Sequence, residues 1–556
     1  MIKNNPTLKE VFTSAYQNHL KNNLKLAENL YKKVLEINSN HLESIFLLGT
    51  LSIQTKNFNV AIKLLKKATL LKPNYADAFH NLGFTFIEMG DLKQGVQFFN
   101  KTIEINPKHK DVHYNLGNAM KQLGEFRKSR DCYKKAIEIK PKNSQAHNNL
   151  GNIYKQLGEF QKAIDSYNTA IQVKPNNSNA HYNLGNIYKQ LGEFKKAKDS
   201  YQNSLLHDPS NLEAVYNLSE INDEILDENL KDKLFTVAKD KIITKKNIAY
   251  KNFLLAKYES KKKNYEKEFN YLLEGHINYF DARKKIFEKG VNYWLQVLPK
   301  LIELENINLP SVSNKKENYK IKPIFIVGVP RCGSTLVEKI IASGEKYMAI
   351  GEETGIVSYV VGEKVNKKES IVLDIENFKK EVINNYEEWG LLKKKYDYTF
   401  TDKSLDNFFF IGLIKIIFPF AKIINCKRNP LSAIMSIIKN NLGQVSWAHN
   451  LENIFKFFDI YHKKIETFKK MYPNYIYELQ YEDLVVDPVS ESKKLMKFCE
   501  IPWNKKCLEY YKRKDMVSHT ASTMQIRKPI YVDSFKKHTP YKKFLDKYGK
   551  KYSWFN

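Results

Sequence analysis

The chain has 556 residues, 42% of them hydrophobic, and a formal net charge of +29 at pH 7. This length and composition predict two or three domains with sizeable cores. The charge comes from 83 Lys and only 7 Arg spread along the chain, which favours anionic partners. A basic cluster interleaved with stacking aromatics, as nucleic-acid binding would require, is missing.

The N-terminus, the apolar runs and the cysteines bear on where the protein is expected to reside. The N-terminus has no apolar targeting segment, and no run reaches the roughly 18 apolar residues of a membrane span. Five cysteines, an odd number, have a spacing that fits neither a zinc site nor a disulfide framework, which indicates reduced thiols. We therefore expect a cytoplasmic protein without a transmembrane segment or a metal site, either monomeric or homo-oligomeric.

Residues 8–211 repeat with a period of 34 residues. Three sets of positions keep this period: Pro73, Pro107, Pro141, Pro175 and Pro209; Gly49, Gly83, Gly117, Gly151 and Gly185; Gly90, Gly124, Gly158 and Gly192. The six units are 8–41, 42–75, 76–109, 110–143, 144–177 and 178–211. Apolar residues spaced three and four apart predict two helices in each unit, with a small residue where the helices cross.

This array resembles the tetratricopeptide repeat, which implies an all-α superhelix whose groove binds a peptide or partner protein. Asparagines recur along it: Asn81, Asn115, Asn149, Asn183 and Asn217, with Asn118, Asn152 and Asn186 three residues later. Their amides can both donate to and accept from an extended peptide, as in the similar Asn-lined groove of O-linked N-acetylglucosamine transferases. The alternative is that these amides are solvated or hydrogen-bond within the array.

Residues 212–320 have no motif to which a function can be assigned. The segment begins like a seventh repeat and then loses the consensus, as capping helices do. Lys-rich helical patterns follow to about residue 305, and a polar, irregular stretch then predicts a linker. We expect capping helices, a helical connector and a linker ahead of a catalytic domain at 321–556.

Residues 323–341 predict a phosphate site. A β-branched and aromatic run leads into a loop from Gly328 to Gly333, and a helical pattern follows. Backbone N–H groups of such a loop and the helix N-terminus bind anions. A Walker A loop would carry Lys before the Ser/Thr, and here Arg331 stands inside the loop instead. The pattern therefore argues against a nucleoside triphosphatase and for a single phosphate at this point.

The loop PRCGSTL, followed by GEET at 351–354, resembles sulfotransferases, most closely the tyrosylprotein sulfotransferases and the bacterial repeat-containing sulfotransferases. The resemblance implies a P-loop-like α/β domain with a central parallel sheet, and 3′-phosphoadenosine 5′-phosphosulfate (PAPS) as the donor. It assigns the 5′-phosphosulfate to Arg331, Cys332, Gly333, Ser334 and Thr335. Cys332 replaces the usual Ser, which removes one hydroxyl contact.

Residues 421–439 predict a second strand-to-helix junction. Arg428 lies at the end of the strand, and Ser436 lies one or two turns into the helix. Ligands of open α/β sheets bind outside the carboxyl ends of the strands. This eight-residue separation is similar to the 3′-phosphate segment of sulfotransferases, so the two junctions together favour one nucleotide with a phosphate at each end.

Sulfuryl transfer needs a base for the acceptor hydroxyl and cations on the sulfuryl oxygens, by analogy with phosphoryl transfer. The resemblance makes Glu353 the base, with Glu352 as the alternative, and places Lys403 and Arg331 on the transferring group. It further implies a catalytic Ser522 and nucleotide contacts from Tyr481 and Lys537. The role of Arg527, in the same C-terminal motif as Ser522, stays open.

The acceptor is less well defined than the donor. Gly355 and Tyr359 stand where tyrosylprotein sulfotransferases carry the Arg residues that read acidic groups around the target tyrosine. Three hypotheses follow: transfer to a protein or peptide hydroxyl recruited by the repeats, transfer to a carbohydrate, lipid or small molecule, or a repeat scaffold with an inactive nucleotide domain. The scaffold is disfavoured by five retained site residues: Arg331, Glu353, Lys403, Arg428 and Ser522.

Overall fold

The computed structural model describes residues 7–237, 244–300, 321–344, 348–367, 369–371, 373–392, 398–513, 525–530 and 538–555. The chain divides into two compact units, Met1–Ile187 with Gln202–Asp208, and Tyr188–Tyr201 with Pro209–Asn556. The division passes through the sixth of the repeats predicted from the sequence. None of the described helices is both long and apolar enough to cross a membrane.

Each 34-residue period contains two helices, as predicted. They are α1 (Leu8–Leu20), α2 (Leu24–Ile37), α3 (Leu42–Gln54), α4 (Phe58–Leu71), α5 (Ala76–Glu88), α6 (Leu92–Ile105), α7 (Val112–Gln122), α8 (Phe126–Ile139), α9 (Ser144–Gln156), α10 (Phe160–Val173), α11 (Ser178–Leu191) and α12 (Phe194–His207). Close crossing explains the glycines at Gly83, Gly117 and Gly151, because a Cβ at each would lie 2.6 to 2.8 Å from an aromatic ring of the second helix. The superhelical fold class is confirmed.

The recurring asparagines hydrogen-bond within the array. The amide of Asn149 donates to Asn118 Oδ1 at 3.1 Å, and the amide of Asn183 donates to Asn148 Oδ1 at 3.0 Å. Asn118 Oδ1 also accepts from the Tyr133 hydroxyl at 2.6 Å. These bonds use amide groups that would otherwise be open to a bound peptide. They agree with the alternative that the asparagines hydrogen-bond within the array.

A set of connector helices follows the repeats: α13 (Leu212–Ile221), α14 (Glu228–Val237), α15 (Lys245–Lys261), α16 (Tyr265–Asp281) and α17 (Lys284–Asn292), ending in a π-helical turn at Tyr293–Val297. Their buried residues, among them Tyr250 and Phe253, belong to the same hydrophobic core as the strands described next. The connector also holds the C-terminal part of the chain, because Tyr541 donates to the buried Glu268 carboxylate at 2.5 Å.

The core of the second unit is a five-stranded parallel sheet, as predicted. Its strands are β1 (Lys322–Gly328), β2 (Ala349–Glu352), β3 (Thr399–Lys403), β4 (Lys422–Lys427) and β5 (Ile476–Gln480), in the order β2-β3-β1-β4-β5. Residues 323–328 are all buried, as expected for a central parallel strand. The strand order reverses between β1 and β4, which is where ligands bind in open α/β sheets.

The helices of this unit are α18 (Ser334–Ala342), α19 (Ile356–Lys367), α20 (Ile375–Glu388), α21 (Ile411–Ile417), α22 (Pro430–Lys439), α23 (Leu451–Met471), α24 (Tyr481–Val486), α25 (Pro488–Phe498) and α26 (Lys542–Gly549). Helix α22 begins at Pro430 because Asn429 caps it, accepting from the Ser432 N–H at 3.1 Å. Helices α18 and α22 therefore both begin at the carboxyl edge of the sheet, beside the switch point.

Candidate active site

Four parallel strands end at one edge of the sheet and bring most of the predicted site residues together. β1 ends at Gly328, β2 at Glu352, β3 at Lys403 and β4 at Lys427. Glu352 and Lys403 are directly paired in the sheet register. Residues that are far apart in the sequence therefore converge because the strands are parallel.

The loop after β1 leads directly into α18. Gly333 precedes the helix with φ +99°, and Ser334 and Thr335 form its first turn. The N–H groups of a first helical turn point away from the helix and favour an anion at its N-terminus. The side chain of Cys332 is fully buried. Its N–H donates to the main-chain oxygen of Val329 at 3.2 Å, so Cys332 shapes the loop from inside.

Arg331 and Arg428, predicted to bind opposite ends of one nucleotide, lie in contact. The Arg331 Nε donates to Ser436 Oγ at 3.0 Å, and an Arg428 Nη donates to the main-chain oxygen of Arg331 at 2.9 Å. The phosphate loop after β1 and the junction after β4 thus form a single polar site. Two guanidinium groups and a hydroxyl here provide the fork geometry that suits phosphate.

Tyr481, at the start of α24, lies against both halves of this site. The guanidinium carbon of Arg428 is 4.6 Å from the centre of the Tyr481 ring. The same ring approaches the phosphate loop so closely that a Cβ at Gly333 would lie 2.3 Å from its Cδ2. Tyr481 therefore fixes the Arg428 guanidinium and the loop relative to each other, and its contact with a nucleotide stays a prediction.

The variant Gly333→Ala is expected to lower the free energy of unfolding by about 1–3 kcal/mol, because the new methyl overlaps Tyr481 in a positive-φ backbone. We expect nucleotide binding to be lost with it. Gly362→Ala in α19 is the matched control, since no atom lies within 4 Å of its Cβ and the substitution favours the helix. Denaturant unfolding of both variants measures the difference, and equal stabilities would contradict the close approach of Tyr481.

Glu353 and Lys403 lie together at the ends of β2 and β3, at the same edge of the sheet as the arginines. Lys403 Nζ lies 3.5 Å from Glu353 Oε1 and 3.7 Å from Glu352 Oε1. The side chain of Glu353 is 53% exposed, whereas those of Glu352 and Lys403 are 4% and 1% exposed. Only Glu353 of these three groups is therefore open to an incoming acceptor.

The buried ammonium of Lys403 is held in its charged form. Burial acts to lower its pKa, but the carboxylates of Glu352, Glu353 and Glu338 outweigh burial and raise the pKa above its ordinary value. A protonated Lys403 is the state that stabilises negative charge on transferring oxygens.

Backbone strain coincides with the site. Arg331 has φ +71° and Glu353 has φ +54°, a region that costs most L residues about 1–3 kcal/mol and occurs often at functional sites. The strained turn at Glu353 is tied to β3 by Thr354, which donates to Asp402 Oδ2 at 2.8 Å, and by Ser404, which accepts from the Gly355 N–H at 2.8 Å.

Asp402 is a positioning residue that the sequence prediction missed. Its buried carboxylate also accepts from the Tyr386 hydroxyl at 2.5 Å, the Ser404 N–H at 2.9 Å and the Asn407 amide at 3.1 Å. It thereby holds Lys403, its neighbour, against the Glu353 turn. The available signal was an acidic residue at the end of a buried strand pattern, in TFTDKS.

Of the three predicted C-terminal site residues, the structure describes only Arg527. Ser522 and Lys537 lie outside the described residues. Arg527 donates to the main-chain oxygens of Arg513 at 3.2 Å and of Leu191 at 3.5 Å. Within the second unit, Arg527 thus contacts the C-terminal end of α11 through main-chain acceptors.

Models of two protein families match different parts of the chain. Residues 323–505 match the family model described as the Sulfotransferase family. Tetratricopeptide-repeat models match residues 42–75, 76–109, 119–158, 151–192 and 178–211. The resemblance to both families is therefore confirmed.

Two curated relatives each match a part of the chain. An uncharacterized protein of Aquifex aeolicus (strain VF5) is 30% identical over 332 residues, 56% of this chain and 42% of the relative. Protein-tyrosine sulfotransferase 1 of Danio rerio is 25% identical over 260 residues, 42% of this chain and 69% of the relative. The chain thus spans less than half of the length of the Aquifex protein.

Among solved structures, two similar chains each cover a minor part of this one. A crystal structure of MamA is 27% identical, covers 29% of this chain and 94% of its own, and has a TM-score of 0.28. The structure of YrrB, described as a TPR protein with an unusual peptide-binding site, is 19% identical, covers 34% of this chain and 96% of its own, and has a TM-score of 0.30.

Proposed function

Because residues 323–505 form a sulfotransferase-family domain that follows tetratricopeptide repeats, we propose that the chain transfers a sulfuryl group from PAPS to an acceptor hydroxyl. The contact of Arg331 with both Ser436 and Arg428 carries this proposal. It joins two strand-to-helix junctions into one site, as a nucleotide with a phosphate at each end requires.

The donor is assigned to these junctions in a definite orientation. Arg331, Ser334, Thr335 and the loop N–H groups bind the 5′-phosphosulfate. Arg428 and Ser436 bind the 3′-phosphate, and Tyr481 supports the nucleotide beside them. The proximity of Arg331 to Ser436 and Arg428 supports this assignment, because a single ligand must reach both groups.

The transfer is an in-line displacement. The acceptor oxygen forms a bond to sulfur, the bond from sulfur to the bridging oxygen of the 5′-phosphate breaks, and Glu353 accepts the acceptor proton. Lys403 and Arg331 stabilise negative charge on the sulfuryl and bridging oxygens. The products are the sulfate ester and 3′-phosphoadenosine 5′-phosphate (PAP).

Glu353 is favoured over Glu352 as the base because of its surroundings. Glu352 is buried between two ammonium groups, 3.7 Å from Lys403 and 4.0 Å from Lys339. Its side chain is only 4% exposed, so an acceptor hydroxyl cannot approach it. Glu353 is half exposed and contacts Lys403 alone among the ion pairs of the described residues.

For the acceptor, we propose a protein tyrosine or other peptide hydroxyl that the repeat groove recruits. Two observations favour a second candidate, a carbohydrate, lipid or small-molecule hydroxyl. The asparagine amides of the groove bond to one another, and Gly355 and Tyr359 lack the charge that would read acidic residues around a tyrosine.

Transfer of labelled sulfate from PAPS tests the reaction and the acceptor together. We expect the full chain to label a tyrosine peptide library. Labelling confined to a glycan extract would favour the second candidate. No labelling of peptides, glycans or lipids under conditions where PAP binds would contradict the transferase activity itself.

A further inference from the structure

Glu338 is a fully buried carboxyl group that the proposed reaction does not use. It lies in α18, four residues after Ser334 and three after Thr335, and therefore about one turn beyond the proposed phosphosulfate contacts. The Thr401 hydroxyl donates to its Oε1 at 3.0 Å, while its Oε2 accepts no hydrogen bond from the described residues. A buried carboxylate with so few partners is costly when it is ionised.

Glu338 belongs to a chain of charges that reaches the proposed base. Lys339 Nζ lies 3.8 Å from Glu338 Oε2 and 4.0 Å from Glu352 Oε2. Lys403 Nζ continues this chain to Glu352 at 3.7 Å and Glu353 at 3.5 Å. We call these five residues the Glu338 cluster. With every member ionised, its three carboxylates outnumber its two ammonium groups, which leaves one net negative charge.

Burial raises the pKa of Glu338 to about 7, although the ammonium groups of Lys339 and Lys403 act to lower it. The charged groups facing Glu338 come from its own helix (Lys339), from β2 (Glu352) and from β3 (Lys403). Arg513, from the segment at the far end of α18, donates to the main-chain oxygen of Ala342 at 2.7 Å. With a pKa of about 7, Glu338 can gain or lose a proton near neutral pH. The charges of its neighbours decide which of the two forms is favoured.

We propose that Glu338 is a positioning residue that takes up one proton from solvent when an anionic nucleotide binds. The proton neutralises one carboxylate of the Glu338 cluster, so the Lys403 ammonium is left to stabilise the transferring group rather than a buried carboxylate. The argument is electrostatic: a phosphosulfate at Ser334 and Thr335 adds negative charge beside a cluster that is already negative. This inference rests on the proposed function.

Calorimetric titration of the full chain with PAP at pH 7.5, in two buffers of different ionisation enthalpy, measures the proton directly. Wild type is expected to take up a substantial fraction of one proton, and Glu338→Gln none. Because nucleotide binding raises the pKa of Glu338, affinity should fall as pH rises from 7 to 8.5, by at most about tenfold per pH unit. The phosphates of PAP, with second pKa values of about 6, stay ionised in this range.

The controls separate Glu338 from its surroundings. Glu363→Gln removes an exposed carboxylate on α19, away from the cluster, and its proton uptake should match that of wild type. Absence of uptake in wild type, or equal uptake in Glu338→Gln, would overturn the inference. The wild-type measurement decides even if the variant fails to fold. Failure of PAP to bind wild type at any pH would instead remove the proposed function.

Discussion

Glu353→Gln is expected to lower kcat for sulfuryl transfer by about 10²- to 10⁴-fold, the usual contribution of a general base. The amide keeps the size of the side chain but cannot accept the proton of the acceptor hydroxyl. PAP affinity should stay within a few-fold of wild type, because Glu353 lies at the Lys403 end of the site and not at the arginine junctions. Single-turnover transfer and calorimetry measure the two quantities separately.

Two further carboxylates serve as comparisons. Glu363→Gln on α19 removes an exposed carboxylate that pairs only weakly with Lys367 at 3.9 Å, and it should keep the wild-type rate. Glu352→Gln tests the alternative base. If Glu353→Gln retained full activity while Glu352→Gln abolished it, the assignment of the base to Glu353 would be wrong.

Arg428→Ala is expected to weaken PAP binding by about 30-fold or more. Truncating one partner of a hydrogen-bonded charge pair costs about 2–5 kcal/mol, and Arg428 also holds the main chain of Arg331 at 2.9 Å. Its loss therefore removes a phosphate ligand and loosens the loop that grips the other phosphate. Calorimetry with PAP gives the change in affinity.

Lys427→Ala is the matched control for Arg428→Ala. It removes one positive charge from the preceding residue, whose side chain is 40% exposed and pairs with Glu478 at 3.6 Å. A general attraction of the basic chain for anions would weaken binding equally in both variants. We expect PAP affinity to change less than threefold in Lys427→Ala, as is typical of an exposed ion pair.

The regular parts of the fold follow from local sequence patterns. The 34-residue period predicted two helices per unit, because glycine and ring positions such as Gly151 and Tyr167 recur where helices cross. The apolar run before Gly328 predicted a buried parallel strand, and residues 323–328 are buried. Arg331 and Arg428 were each identified from a strand-to-helix junction, which is also a local pattern.

The less regular parts depend on contacts that sequence spacing does not reveal. The charged side chains of Glu338 and Lys339 in α18 are 0% and 1% exposed, which the sequence alone does not indicate. The sheet covers one side of α18, and residues 505–512 and 525–527 contact it as well. Asp402 likewise gains its role from Thr354 and Tyr386, which are distant in the sequence. Such networks form only when separate strands and helices pack together.

The central claim is that Arg428 binds the 3′-phosphate of a nucleotide whose 5′ end lies at Arg331. Calorimetric titration of wild type and Arg428→Ala with PAP and with adenosine 5′-phosphate, which lacks the 3′-phosphate, tests it most directly. We predict that wild type prefers PAP by about 30-fold or more and that Arg428→Ala binds the two ligands nearly equally. Equal preference for PAP in both proteins would contradict the claim.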